Sequence, residues 1–314
     1  MRVAVLDDYQ QAAHRFADWQ GLGADVTFLP EHIADTDTLA ETLRGHDVIV
    51  AMRERTPFTA ERFERLPDLR LLVTTGMANA AIDLAAAHRH GVTVCGTDGA
   101  AHATPELTWG LILSLVRHLP AEAAGMREGR WQHTIGGDLG GRTLGVVGLG
   151  RLGARVAAIG NAFGMRVLAW SSNLDSGHAR GLGAEPVSKH DLFSEADIVT
   201  VHYKLSERST GLIGRRELSW MKPTAYLVNT SRGPLVDTAA LVDALREERI
   251  AGAGLDVYDV EPLPAGDPLR TAPRTVLTPH IGYVTEETYR IFYRQAVENI
   301  AAHRAGTPLR TLTP

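Results

Sequence analysis

Short apolar runs alternate with alanine-rich amphipathic stretches along the whole chain. Five runs precede residue 100 (RVAVLDD, DVTFLP, DVIVAM, LRLLVTT and VTVCGT), and six follow residue 140 (TLGVVGLG, RVLAW, DIVTVH, AYLVNTS, GAGLDV and TVLTPH). Such short, near-continuous apolar runs are typical of buried parallel strands, and the helices between them supply the crossovers that parallel strands require. The pattern therefore predicts an α/β fold made of two doubly wound parallel sheets.

A helical pattern near residues 103–118 separates the two sets of strands. In ATPELTWGLILSLVRH, Pro105 suits a first helical turn, and the glycine-rich GGDLGGRT leads into the second set. The closing segment TEETYRIFYRQAVENIAAHRAG has apolar residues at helical spacing behind Thr285, a candidate N-cap. We expect this helix to pack on the first set of strands. The predicted domains are thus residues 1–98 plus 285–314, which are discontinuous, and residues 99–284.

Composition and charge exclude some classes of function. The 314 residues are 44% hydrophobic and 22% charged, as in an ordinary soluble protein, and the net charge is −5. No basic cluster accompanies this mildly negative charge, so we expect no nucleic-acid partner. The N-terminus reaches two aspartates before a signal-peptide core could form, and no apolar run could span a bilayer. The sequence therefore favours a cytoplasmic protein without a membrane partner.

Cys95 is the one cysteine of the chain. A single cysteine excludes intrachain disulfides and multi-cysteine metal sites. Its place in the strand-like VTVCG favours a packed thiol over a nucleophile. We expect no metal.

A glycine fingerprint stands between a buried strand and a helix in TLGVVGLGRLGARVAAIGNAFG. Gly148, Gly150 and Gly153 permit a tight turn, close approach of the backbone to a pyrophosphate, and close packing of helix on strand. Arg151 and Leu152 open the helix, whose N-terminus supplies amide donors and a positive dipole end. Strand, fingerprint, helix and next strand follow in register, which favours dinucleotide binding over a turn that merely needs small residues. The second domain is therefore predicted to be a Rossmann domain for NAD or NADP.

Ser171 and Ser172 follow the strand RVLAW, where dinucleotide-binding domains usually place an acid that binds the ribose hydroxyls. A carboxylate would repel the 2′-phosphate of NADP, whereas hydroxyls can donate to it. The prediction is that NADPH is accepted at least as well as NADH, with Lys204 as the favoured cation and Arg180 as the other candidate. The alternative, that the serines are only turn residues, has similar weight.

Three further motifs follow predicted strands, at the edge where open α/β sheets bind their ligands. They are VNTSRGPLVD with Arg232, GLDVYDVEPLP with Asp256 and Glu261, and LTPHIG with His280. An arginine, a glutamate and a histidine brought together could bind a carboxylate, orient an imidazole and move a proton. This set of groups suits the reduction of a 2-oxo acid.

In the order and spacing of these motifs, the chain resembles the D-isomer-specific 2-hydroxyacid dehydrogenase family. GRTLGVVGLGRLG, LVNTSRGPLVD, GLDVYDVEPLP and TPHIG carry the resemblance in the second domain. LRLLVTTGMANAAIDLAAAHRHGVTV and ATPELTWGLIL extend it, more loosely, to the first domain and the helix that follows. The resemblance implies a flavodoxin-like substrate domain in addition to the Rossmann domain, and a homodimer formed through the interdomain helix.

The resemblance also assigns roles to residues of the second domain. Arg232 would pair with the carboxylate and carbonyl of the substrate through the bidentate fork that lysine lacks. His280 would donate a proton to the carbonyl oxygen in reduction and act as the base in oxidation. Glu261 would hydrogen-bond the other ring nitrogen and favour the imidazolium. Asp256 would accept from the nicotinamide carboxamide.

Candidates in the first domain come from the same resemblance. Backbone donors of Gly76, Met77 and Ala78 in TTGMAN are expected to bind the substrate carboxylate, with an ordinary strand-to-helix turn as the alternative. Arg53 follows another strand, where the family often uses a basic residue against the substrate, and a solvated arginine is the alternative. The chain departs from the family's usual residues at Ala80, Ala81, Lys204 and Tyr283. These departures leave the shape of the substrate loop open.

The sequence thus predicts an oxidoreductase that transfers a hydride between NAD(P)H and a small 2-oxo acid, giving the D-2-hydroxy acid. Glyoxylate and hydroxypyruvate are among the substrates left open. The rival is a dinucleotide-sensing binding module, because one branch of the family acts as transcriptional corepressors with the same triad. The chain lacks an interaction tail after its last helix, which favours the enzyme. Formate dehydrogenase chemistry is disfavoured by Pro279, where that branch has glutamine.

Overall fold

The apolar runs form the strands of two parallel sheets in the computed structural model, which describes all 314 residues. The chain divides into a first unit, Met1–Ala100 with Val284–Pro314, and a second unit, Ala101–Tyr283. The expected fold class, α/β with two doubly wound parallel sheets, is confirmed. None of the helices is both long and apolar enough to cross a membrane.

The first unit contains a five-stranded sheet. Its strands are β1 (Arg2–Val5), β2 (Asp25–Phe28), β3 (Val48–Ala51), β4 (Leu71–Thr74) and β5 (Thr93–Cys95), and the helices between them are α1 (Thr36–Thr42), α2 (Ala60–Glu64) and α3 (Leu84–Arg89). The strands are parallel in the order β2-β1-β3-β4-β5, which is the flavodoxin-like order. β3 and β4 are buried at every position, whereas the edge strand β2 alternates between exposed and half-buried residues.

The second unit contains a seven-stranded sheet. Its elements in chain order are α4 (Ala103–Val116), α5 (Leu119–Arg127), β6 (Thr143–Val147), α6 (Arg151–Ala162), β7 (Arg166–Trp170), α7 (Ser176–Gly181), β8 (Glu185–Pro186), α8 (Lys189–Glu195), β9 (Ile198–Val201), α9 (Arg215–Trp220), β10 (Tyr226–Asn229), α10 (Thr238–Arg246), β11 (Gly252–Leu255) and β12 (Thr275–Leu277). The strands are parallel in the order β12-β11-β10-β9-β6-β7-β8. Each of the eleven apolar runs contains one strand. The two-residue edge strand β8 was not expected, because it is too short to form an apolar run.

Helix α4 belongs to the core of the second unit. Its buried Trp109, Ile112 and Leu115 join the cluster that includes Leu144 and Val146 of β6. The helix lies so close to β11 that a Cβ at Gly254 would stand 3.1 Å from a methyl carbon of Leu115. The helix that separates the two sets of strands in the sequence therefore covers the second sheet.

The C-terminal helix α11 (Glu286–Arg304) packs within the first unit. Thr285 caps it as expected, accepting from the amide of Thr288. Tyr293 and Ile300 are fully buried. The side chain of Asn299, also fully buried, donates to the carbonyl oxygen of Gly96 at 2.8 Å, which ties the helix to the segment after β5.

Candidate active site

The glycine loop after β6 has little room for side chains. Gly148 has a φ of +92°, which favours glycine, and a Cβ there would stand 2.6 Å from the carbonyl oxygen of His202. A Cβ at Gly153 would overlap the carbonyl oxygen of Gly148. Two of the three fingerprint glycines are therefore required by the fold of the loop itself.

The N-terminus of α6 presents free amide groups. Gly150 is the N-cap and has no side chain to accept from the first turn, so the amides of Arg151, Leu152 and Gly153 have no partner in the helix. Gly150 is exposed, and a Cβ there would meet nothing within 4 Å. Open space, free amides and the positive end of a twelve-residue helix together fit the pyrophosphate of a dinucleotide.

The loops after β7 and β9 approach each other across the end of β6, which lies between these strands in the sheet. The hydroxyls of Ser172 and Tyr203 are 2.7 Å apart. The Tyr203 ring stacks on Trp170, with centroids 6.0 Å apart and planes 15° from parallel. Ser171 stands in the sequence between Trp170 and Ser172, the two residues that contact Tyr203. Asp175, the first acid after β7, is engaged as the N-cap of α7 and accepts from the amide of His178 at 2.6 Å.

Basic side chains near this end of the sheet differ in charge and exposure. Burial lowers the pKa of His202 to about 4, and its Nε2 lies 2.9 Å from the hydroxyl of Thr200, so His202 is uncharged near neutral pH. Lys204 is exposed, and its carbonyl oxygen accepts from Ser209 at 2.8 Å, which fixes its backbone. Arg151 is exposed at the start of α6.

Glu261 and His280 form a close pair at the ends of neighbouring strands. Oε2 of Glu261 is 2.5 Å from Nδ1 of His280, and the two side chains are 22% and 12% exposed. Oε1 of Glu261 accepts from the amide of Tyr258 at 2.9 Å, so both carboxylate oxygens are engaged. Nε2 of His280 has no hydrogen-bond partner. The pair is therefore arranged so that one ring nitrogen is held and the other is left for a ligand.

The loop that carries His280 is tied to the carboxylate of Asp256. Oδ1 accepts from the Thr278 hydroxyl at 2.6 Å and from the Ile281 amide at 2.8 Å, and Oδ2 accepts from the Gly282 amide at 2.8 Å. Asp256 is fully buried, and burial raises its pKa, while the three donors and the charge of His280 act in the opposite direction. His280 itself has a φ of +52°, a strained value for a non-glycine residue that persists only when its surroundings enforce it.

These contacts limit how many further donors Asp256 can accept from. A carboxylate has about four lone-pair sites, and the loop occupies three of them in a side chain with no exposed surface. At most one site therefore remains for the carboxamide of a nicotinamide. Holding the His280 loop is the role that the contacts themselves define.

Arg232 follows β10, the strand next to β11 in the sheet. Its carbonyl oxygen accepts from the Asn229 side chain at 2.8 Å, and its Nη1 donates to the carbonyl oxygen of Ser231 at 2.7 Å. A Cβ at the following Gly233 would overlap the backbone of Tyr258. The segment that carries Arg232 therefore packs directly on the segment that carries Glu261. The structure thus brings the three predicted catalytic residues to the carboxyl edge of β10, β11 and β12.

Arg53 and Gly76 of the first unit lie together. The Arg53 guanidinium occupies the place where a Cβ of Gly76 would stand, and its Nη1 donates to the carbonyl oxygen of Thr75 at 3.1 Å. Gly76 has a φ of +98° and Arg53 a φ of +52°. Asn79 ties the two segments, because its amide group donates to the carbonyl oxygen of Arg53 at 2.7 Å and to the Thr74 hydroxyl at 2.8 Å.

The three amides expected to bind a substrate carboxylate are not equivalent. The amide of Gly76, a residue with a φ of +98°, donates to the hydroxyl of Thr97 at 2.9 Å, in the segment after β5. In this structure the Gly76 amide is therefore already engaged, unlike the other two. Met77 and Ala78 are exposed, and their amides have no acceptor. The loop thus offers two backbone donors beside the Arg53 guanidinium.

Several residues of the site were not singled out from the sequence. Tyr258 and Thr278 lie in the quoted motifs and Tyr203 directly follows the run DIVTVH, where an aromatic or a threonine at a strand end is typical of packing. Asn79 stands in TTGMAN, where its side chain organises the loop. A residue type alone does not reveal these contacts, because each depends on a partner far away in the sequence.

Comparisons with known proteins agree with this geometry. Residues 109–282 match the model of the NAD-binding domain of D-isomer specific 2-hydroxyacid dehydrogenases. A glyoxylate reductase of Aeropyrum pernix is 42% identical over 250 residues, which are 76% of this chain and 75% of that protein. A glycerate dehydrogenase of Methylorubrum extorquens is 35% identical over 295 residues, which are 90% of this chain and 89% of that protein. The crystal structure of a phosphoglycerate oxidoreductase from Vibrio cholerae O395 matches with a TM-score of 0.94 and 37% identity, over 98% of this chain and 99% of that one.

The glycine loop gives a first testable prediction. Gly153→Ala places a methyl group against the carbonyl oxygen of Gly148. Because overpacking costs about 1–3 kcal/mol, we expect the Kd for NADH and NADPH to rise by about ten-fold or more, measured by fluorescence titration. Gly110→Ala in α4, where a Cβ meets nothing within 4 Å, is the matched control and should leave both constants unchanged. Parent-like binding by Gly153→Ala would contradict the assignment of the loop.

Proposed function

Because the chain belongs to the D-isomer specific 2-hydroxyacid dehydrogenase family and is an NAD(P)-dependent 2-oxo acid reductase, we propose that it reduces a small 2-oxo acid of the glyoxylate or hydroxypyruvate type. The names of the glyoxylate reductase and glycerate dehydrogenase relatives support this substrate class. The single observation that carries the proposed mechanism is the 2.5 Å contact between Glu261 and His280. The dinucleotide-sensing alternative is not favoured, because these relatives are named as enzymes.

In the proposed mechanism, His280 donates the proton to the carbonyl oxygen of the 2-oxo acid. Glu261 holds Nδ1 and favours the imidazolium, which leaves Nε2 as the donor. The bound nicotinamide dinucleotide supplies the hydride. Arg232 binds the substrate carboxylate and polarises the carbonyl through its planar fork of donors. In the reverse direction, neutral His280 takes the proton from the hydroxyl group.

Residues of the first unit are proposed to contribute to substrate binding. The amides of Met77 and Ala78 and the guanidinium of Arg53 are donors suited to a carboxylate. Gly76 contributes through its backbone conformation, because a side chain there would displace the Arg53 guanidinium. These contacts are separate from the proton-transfer pair and concern affinity for the acid.

We propose that NADPH is used at least as well as NADH. The hydroxyls of Ser171 and Ser172 stand where an acid would repel a 2′-phosphate, and Asp175 is engaged as a helix cap. The Tyr203 hydroxyl can donate to Ser172, which leaves the proton of Ser172 available for a phosphate oxygen. His202 is uncharged, so the exposed Lys204 is the favoured cation.

A homodimer is proposed from the family and from one exposed apolar surface. Helix α5 and the irregular segment after it carry four exposed apolar side chains: Leu119 (49% exposed), Met126 (56%), Trp131 (74%) and Ile135 (94%). Large apolar side chains exposed to this degree within one short segment are typical of an interface with another protein chain. A second copy of this chain is the partner that the family implies.

The proton-donor role is tested with His280→Ala. We expect kcat for glyoxylate and hydroxypyruvate to fall by at least about 100-fold, the usual effect of losing a positioned acid, with NAD(P)H binding near normal. The parent should be assayed with a panel of 2-oxo acids to rank the substrates. Undiminished kcat in the variant would contradict the mechanism, and a preference for bulky 2-oxo acids would contradict the substrate class.

The cofactor proposal is tested with Ser171→Asp. A 2′-phosphate carries about −1.5 to −2 charges, and like charges about 4 Å apart repel by about 1 kcal/mol or more per charge. We therefore expect kcat/KM for NADPH to fall by about ten-fold or more, with the value for NADH unchanged or higher. Lys204→Ala should lower the NADPH value alone. A parent that uses NADH far better than NADPH would overturn the proposal.

The homodimer is tested by sedimentation velocity. The parent should sediment as a dimer, and the double variant Trp131→Glu, Ile135→Glu as a monomer, because two buried charges would lack partners in the interface. Leu309→Glu, at another exposed apolar position, is the matched control and should remain dimeric. A monomeric parent, or a double variant that stays dimeric, would rule out this surface.

A further inference from the structure

Tyr258 contacts both segments that carry the proton-transfer pair, Glu261 and His280. It lies three residues before Glu261 and is 7% exposed. Its amide donates to Oε1 of Glu261 at 2.9 Å. Its hydroxyl lies 2.9 Å from the carbonyl oxygen of Thr278 and 3.2 Å from that of Leu255. One side chain therefore contacts the end of β11 and the segment after β12.

The carbonyl oxygen of Thr278 is an anchor of the turn that carries His280. It also accepts from the amide of His280 at 3.0 Å, across the residue Pro279. His280 has a φ of +52° in this turn, so its conformation depends on surrounding contacts. A donor that fixes the Thr278 carbonyl therefore fixes the direction in which the imidazole leaves the backbone.

The Tyr258 hydroxyl keeps its proton throughout the working pH range. Burial raises the pKa of the phenol, and the neighbouring carboxylates of Asp256 and Glu261 raise it further. The group is thus a permanent donor, and the carbonyl oxygens facing it can only accept.

We propose that Tyr258 is a positioning residue for the proton-transfer pair: its amide orients the Glu261 carboxylate, and its hydroxyl holds the turn of His280. The inference rests on the catalytic roles proposed for His280 and Glu261. The hydroxyl acts through these two residues and touches no reacting atom. The motif GLDVYDVEPLP predicts a core aromatic at this position, but the hydroxyl and the amide of Tyr258 both contact segments of the proposed site.

The imidazole of His280 is held by neighbouring groups of the second unit. Glu261 accepts from its Nδ1, and the Tyr283 ring meets it edge-on at 5.4 Å. A shift of the turn that carries His280 would therefore loosen the contact with Glu261 and change the direction of Nε2, the atom proposed to donate the proton.

The test is Tyr258→Phe, which keeps the ring and the amide and removes the hydroxyl alone. We expect kcat for 2-oxo acid reduction to fall by about 3- to 20-fold, as for the loss of one buried hydrogen bond, with the Kd for NAD(P)H unchanged. The KM for the 2-oxo acid should stay near the parent value, so that the loss falls on kcat. In protein labelled with ¹⁵N-histidine, the ring ¹⁵N chemical shifts of His280, assigned with His280→Ala, should change because they report the contact with Glu261. Tyr226→Phe, the same change in β10, is the matched control and should alter none of these.

The outcomes separate this inference from the proposed function. Changed ring shifts of His280 with a lower kcat support both. Changed ring shifts with an unchanged kcat support the positioning role and contradict His280 as the proton donor. If the ring shifts of His280 match those of the parent, the positioning role is overturned, even if kcat or thermal stability falls.

Discussion

The buried carboxylate of Asp256 is the constraint on which the rest of the site depends. A charge without exposed surface is costly unless it is fully hydrogen-bonded, and here three donors from five consecutive residues surround it. Those donors belong to the loop that carries His280, so the need to satisfy the carboxylate also fixes the loop. The strained φ of His280 is maintained by the same contacts. A structural requirement of the fold thereby positions the histidine proposed as the proton donor.

The order of the strands also determines where Arg232, Glu261 and the dinucleotide loops lie. β10, β11 and β12 are neighbours, so the segments that follow them meet at one edge of the sheet. Gly233 allows the Arg232 segment to lie against the backbone of Tyr258, and the Tyr258 amide in turn holds Glu261. In the other half of the same sheet, the glycine loop after β6 and the two serines after β7 present donors and no acidic group for a dinucleotide. Parallel strands with helical crossovers bring all of these segments to the same edge.

Sequence patterns predicted most of the fold, because buried parallel strands need continuous apolar runs. All eleven such runs became strands, whereas β8, with two residues, left no signal. The glycine fingerprint and the Arg232, Glu261 and His280 motifs were recognisable because each of these residue types has few alternatives for its task. The engagement of the Gly76 amide with Thr97 and the three hydrogen bonds on Asp256 were not predictable. They depend on loop conformations and on partners 21 to 26 residues away, and no local pattern encodes those distances.

The constraint set by Asp256 can be tested with one variant. Asp256→Asn keeps the shape of the side chain but replaces an acceptor by an amide group that faces donors from the His280 loop. At saturating NAD(P)H, kcat for 2-oxo acid reduction should fall by about ten-fold or more, because charge-assisted hydrogen bonds are lost. The Kd for the dinucleotide should stay within about three-fold of the parent value. An unchanged kcat with a large rise in that Kd would contradict this prediction, since Asp256 would then serve the nicotinamide and not the loop that carries His280.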